Sequence, residues 1–199
     1  MLNMKKGCTV PFPEMLREGY QTEGNCIRAN VGADKIRSVL EHFLAMRTEP
    51  VFFILEIPTN ANDEETDENG VIQELHCDVY YIDGCSVEKA LALLKQSGEL
   101  LIEDGISQFG FGGHESGDEI MFCNYNITII FASDIHKYED FLEEHRIIKT
   151  GRLVTAWDTF DREHPGSCQT CRTGGEDIYD IPKLYKDWRI YLAERRVRH

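Results

Sequence analysis

The sequence predicts an α+β domain: a mixed, largely antiparallel sheet with three or four helices packed mainly on one face. Two stretches carry that expectation. Residues 106–132, ISQFGFGGHESGDEIMFCNYNITIIFA, alternate apolar and other side chains three times in succession, the period of a strand. Residues 33–47 instead place Ile36, Val39, Leu40, Phe43 and Leu44 at helical intervals, one apolar stripe for a sheet to bury.

The first stretch reads as a three-stranded meander. Phe109 and Phe111 alternate with Gln108 and Gly110, Ile120 and Phe122 leave Glu119, Met121 and Cys123 on the other side, and Ile127, Ile129 and Phe131 lie opposite Thr128 and Ile130. Cys123 to Asn126 can close the second hairpin, because asparagine tolerates positive φ. The longer first turn holds Gly112 to Asp118, and Gly110 inside the strand predicts a bulge or a closely approaching neighbour.

The remaining elements follow in chain order. Residues 1–23, with Pro11 and Pro13, read as an irregular N-terminal segment ahead of a single domain spanning 24–199. Strands are expected at 25–31, at 51–57 (VFFILEI, apolar enough for a strand buried on both faces) and at 71–82. The run NANDEETDENG before the last of these is a solvated acidic loop without the ligand spacing of an EF-hand. Ser86 caps a helix to about Gln96, and Asp134 caps another presenting Tyr138 and Leu142. Short strands at 152–156 and 176–181 precede a C-terminal helix over 182–196, opened by Pro182.

Composition narrows the function classes. A formal charge of −14 opposes a general nucleic-acid binder, which needs a basic footprint. Residues 183–199 hold six cations against two carboxylates, a local +4 that leaves −18 on the rest of the chain. No apolar run approaches the ~20 residues of a membrane span, and the N-terminus has no apolar core of a secretory signal. Seven cysteines, an odd number lying mostly in or beside expected strands, suit a reducing compartment, so a cytoplasmic location is expected.

Two clusters invite chemistry. His114, Glu115, Asp118 and Glu119 share the glycine-flanked turn of the meander, and with Asp158 at the end of an expected strand they would suit a metal-assisted hydrolase. The surrounding glycines exclude the helix that an H-E-x-x-H metalloprotease requires. His164, Cys168 and Cys171 place an imidazole and a C-x-x-C pair in one loop, donors for a structural zinc that lacks a fourth ligand nearby. The same pair of thiols could serve as a redox dithiol, although thioredoxin-type motifs open a helix. Neither cluster is a complete reaction centre and no cofactor fingerprint is present, so binding is favoured over catalysis. The expectation is an acidic protein-interaction module of the immunity or inhibitor type, which engages a basic protein partner.

Overall fold

The computed structural model describes residues 1–198 and contains ten strands and four helices. Strand β1 (Cys8–Thr9) is followed by β2 (Gly19–Glu23), β3 (Cys26–Asn30), helix α1 (Ala33–Ala45), β4 (Val51–Pro58), β5 (His76–Cys85) and α2 (Val87–Glu103). The meander β6 (Gln108–Gly113), β7 (Glu119–Phe122) and β8 (Ile127–Phe131) comes next, then α3 (His136–Glu144), β9 (Ser167–Cys168), α4 (Ile181–Leu184) and β10 (Tyr191–Val197). Eight strands form one antiparallel sheet in the order β10-β5-β4-β6-β7-β8-β3-β2, and β1 pairs with β9 in a separate two-stranded ladder. The α+β expectation therefore holds, with an antiparallel sheet throughout.

One sheet face carries the core. Val51, Phe53, Leu55 and Ile57 of β4 pack with Phe109, Phe111, Ile120, Phe122 and Ile130 beneath the apolar stripes of α1 and α2. Helix α1 buries the five residues that its spacing singled out. Ser86 caps α2 by accepting the Lys89 N–H, and the helix continues about two turns beyond its expected end because Leu100, Leu101 and Ile102 extend the buried stripe. At its C-terminal end Asp104, fully buried, accepts the N–H groups of Ile106, Ser107 and Cys171 and so fixes the entry to β6.

The β6 glycines answer to close approach. A Cβ on Gly110 would lie 2.0 Å from the Ile120 carbonyl oxygen and 2.6 Å from the Met121 sulfur, and one on Gly112 would strike the Phe52 ring. Backbone cannot retreat as a side chain can. Gly110→Ala is therefore expected to destabilise the domain by about 3 kcal/mol, the upper end of over-packing costs, measured by urea titration.

Several expectations yield to tertiary context. Residues 1–18 are largely irregular but contribute the two-residue β1, and 19–23 form the edge strand β2; Leu2, Cys8, Val10 and Leu16 form a second small core with Tyr125 and Ala156. The expected C-terminal helix ends after four residues. Arg189 takes a left-handed conformation (φ 63°), and the chain then pairs as β10 against β5, with Arg195 on Asp78 and Arg196 on Glu56. Strand pairing and two ion pairs override the helical spacing of Trp188, Tyr191 and Leu192, of which only Trp188 packs on the core. Residues 152–156 form no strand. Thr155 and Asp158 build a capping box that turns Ala156–Thr159 into a 3-10 helix. Residues 176–181 likewise fold as a 3-10 turn on the Asp177–Asp180 box rather than as a strand.

Candidate functional site

The helices cover one side of the large sheet, and the alternate positions of the strands face away from them. Antiparallel register places Phe52, Ile54 and Glu56 of β4 on that outer face, opposite Tyr81 and Val79 of β5 and Gly112, Gly110 and Gln108 of β6. Met121 and Glu119 of β7 continue it to Ile129 and Phe131 of β8 and on to Arg28 and Cys26 of β3. An outer sheet face exposed to water is ordinarily polar. Here Phe131 is 52% exposed and Tyr191 46%, beside half-buried Phe52, Tyr81, Met121 and Ile129. Ile54 and Val79 on the same face are nearly inaccessible, so the accessible apolar part is the stretch of Phe52, Met121, Ile129 and Phe131, on which no helix of the described residues packs.

Its centre is charged. Glu119, half-buried, sits beside Phe131 across the strand pair and has no hydrogen bond or ion pair among the described residues. Burial, and then the neighbouring Glu56 carboxylate, raises its pKa above the ordinary glutamate value. Glu56 is matched by Arg196 from β10; Glu119 is not matched. At one end of the face the segment 152–158 walls a cleft of about 590 Å³ lined by Arg28, Gln108, Ile129, Arg152, Trp157 and Asp158. The Trp157 indole, 60% exposed, stands at this cleft and packs edge-on to Tyr125 and Phe160.

The turn residues singled out from the sequence do not converge. Asp118 is completely buried and structural: Arg47, Lys137 and the Tyr138 hydroxyl all bond its Oδ2, and the Ser133 N–H donates to its Oδ1. Burial alone would raise its pKa, but the Lys137, Arg47 and Ser133 bonds outweigh it and hold the carboxyl below the usual aspartate value. Glu49 clamps the same turn through the N–H groups of Glu115 and Ser116. His114 and Glu115 point to solvent, the imidazole 3.6 Å from Asp83 and edge-on to Phe52. Glu119 lies on the outer face, and Asp158 is committed to the Thr155 backbone and hydroxyl. A hydrolytic centre made of these five side chains is not assembled by the fold.

The loop thiols also separate. His164 bonds Asp161 and lies against the Phe12 ring, Cys171 gives its N–H to Asp104, and Cys168 faces Cys8. Among the described residues no group of three or more His, Cys, Asp or Glu side chains is arranged to hold a metal ion, and no helix is long and apolar enough to cross a membrane. Sequence parity had already placed Glu119 and Met121 together on the side away from Ile120 and Phe122. What parity could not show is that, among the described residues, no helix covers that side. No protein-family profile, curated protein or solved structure matches the chain.

Proposed function

We propose that this chain is a protein-interaction module whose outer sheet face docks a basic protein, in the manner of an immunity or inhibitor protein. One observation carries the reading: a half-buried carboxylate without a cation, Glu119, lies within an uncovered apolar surface that includes Phe52, Met121, Ile129 and Phe131. A large exposed apolar patch marks an interaction surface, and a lysine or arginine from the partner would supply the missing charge. The net charge of −14 steers such a partner toward the chain. Seven cysteines without a disulfide among them support placing it in a reducing, cytoplasmic compartment.

The test is affinity capture from the source cells at low and high salt, with wild type beside Glu119→Lys and Phe131→Asp. The expected result is one basic polypeptide, retained by wild type, released as salt rises and lost by both variants. With that polypeptide purified, Glu119→Gln should weaken binding about 10-fold or more. Wild-type affinity should rise with pH through the raised Glu119 value, because the partner's cation selects the ionised form. Equal retention by the face variants would overturn the reading. So would self-association that Phe131→Asp abolishes, which assigns the face to a second copy of the chain.

A further inference from the structure

A second site lies in the small core beneath the N-terminal segment, beyond the Trp157 end of the outer face. Cys8 and Cys168 are Cα partners in the β1–β9 ladder, and their sulfur atoms are 3.4 Å apart. Directly opposed residues of an antiparallel pair have Cα atoms about 4.5–5.5 Å apart, inside the range of about 4.4–6.8 Å that a disulfide needs. Cys8 is buried and Cys168 half-exposed. Beside them is Lys5, 1% exposed, whose Nζ has no hydrogen-bond partner among the described residues and lies 5.0 Å from the Phe122 ring centre. A buried ammonium without a bonded acceptor is costly unless a negative group stands near it; burial lowers the Lys5 pKa, and Cys8, Asp104, Cys168 and Cys123 are the ionisable groups that oppose that shift.

We propose that Cys8 and Cys168 form a peroxide-reactive dithiol, with Cys168 as the attacking thiolate, Cys8 as the resolving thiol and Lys5 as the buried counter-ion. The Cys168 thiolate attacks one oxygen of a hydroperoxide; the O–O bond breaks, the sulfur is oxidised to sulfenic acid, and the departing oxygen takes a proton and leaves as water or an alcohol. The Cys8 thiol then attacks the sulfenic sulfur. The S–S bond forms, the S–O bond breaks and the hydroxyl departs as water with the Cys8 proton. Two thiols and one peroxide thus give one disulfide and two hydroxyl products, the peroxide being the two-electron oxidant.

The roles follow from the surroundings. Cys168 is the more exposed sulfur. The Cys8 hydrogen bond, then the Tyr125 hydroxyl and the Lys5 charge, overcome burial and hold its pKa below the ordinary thiol value. Cys8 is held as a thiol by its hydrogen bond to Cys168 and by burial, with the Gly105 carbonyl 3.7 Å away as a further acceptor. Cys168 is itself partly exposed, which gives a small oxidant an approach. Cys171, the other half of the C-x-x-C, takes no part.

Peptide mapping of the full chain after brief hydrogen peroxide treatment and thiol blocking tests this directly. Wild type and Cys171→Ser should both yield a Cys8–Cys168 cross-linked peptide that dithiothreitol removes. Cys8→Ala should instead accumulate Cys168 sulfenic acid, captured by dimedone. Iodoacetamide should label wild-type Cys168 with a midpoint below that of an ordinary thiol and, at pH 7, about tenfold or more faster than Cys26; Cys8→Ala should move that midpoint upward. A Cys168–Cys171 bridge, no bridge at all, or a Cys168 midpoint near that of an ordinary thiol would overturn the proposal. None of these readouts depends on the partner of the outer face.

Discussion

Replacing Asp118 by Asn is expected to destabilise the fold by about 3–5 kcal/mol, the cost of leaving buried charge uncompensated. Asp118 is entirely inaccessible, and the Arg47 side chain beside it is 4% exposed. The amide keeps the shape but not the charge, so the guanidinium loses its hydrogen-bonded counter-ion in a low-dielectric setting and keeps only Glu49, 3.9 Å away. Lys137, 27% exposed, can turn outward. For a domain of this size the melting temperature should fall by about 6–20 °C, read by differential scanning calorimetry. A cycle with Arg47→Met should return a coupling of about 1–3 kcal/mol, because removing the second charge removes the penalty left by the first.

The same carboxylate sets an acid limit. The folded state lowers the Asp118 pKa, so its stabilisation is complete above the unfolded value of about 3.9 and is lost as pH falls through the folded one. Urea midpoints between pH 2 and 5 should therefore fall less steeply in Asp118→Asn than in wild type. Parallel curves would show that the carboxylate does not contribute to acid unfolding.

The second large effect is expected at Asn126. Its side chain is wholly buried, donates to the Asn3 and Val31 carbonyls and accepts the Lys5 N–H, so it ties the N-terminal segment to the β8 end of the sheet. Its φ of 63° lies in the left-handed region, which asparagine tolerates better than alanine. Asn126→Ala abandons two buried backbone groups, the Lys5 N–H and the Val31 carbonyl, at ~1–3 kcal/mol each and adds about 1 kcal/mol of backbone strain; the Asn3 carbonyl keeps the Ala33 N–H. A total loss of about 3 kcal/mol or more follows. Asn126→Gly removes the same bonds without the strain and should recover about 1 kcal/mol of it. Both variants should also accelerate labelling of Cys8, because Lys5 and Cys8 share the segment that Asn126 anchors.

What could be read from the chain was what depends on near neighbours in sequence. Period-two alternation located β6, β7 and β8, the 3–4 spacing located α1, and Asn126 was recognised as a residue suited to positive φ. The turn around His114 looked chemical because ionisable residues cluster there, yet its partners arrive from elsewhere. Arg47 is 71 residues from Asp118, and Glu49 is 66 from Glu115. Cys168 appeared to belong with Cys171, three residues on, whereas its structural neighbour is Cys8, 160 residues away. The C-terminal stretch satisfied a helical pattern locally and became a strand because β5 offered an open edge and Asp78, with Glu56 of β4 within reach of Arg196. No local signal encodes either outcome.

The strand order also governs when the domain can form. Strand β3 pairs with β8, so Cys26 meets Phe131 across about a hundred intervening residues. At about 5–20 residues per second on the ribosome, β3 and α1 wait on the order of 5–20 s for that neighbour to be synthesised. During this interval the apolar run of β4 has no finished sheet to enter. Such long-range pairing makes for slow folding and a nascent chain that benefits from chaperone shielding until the meander has emerged.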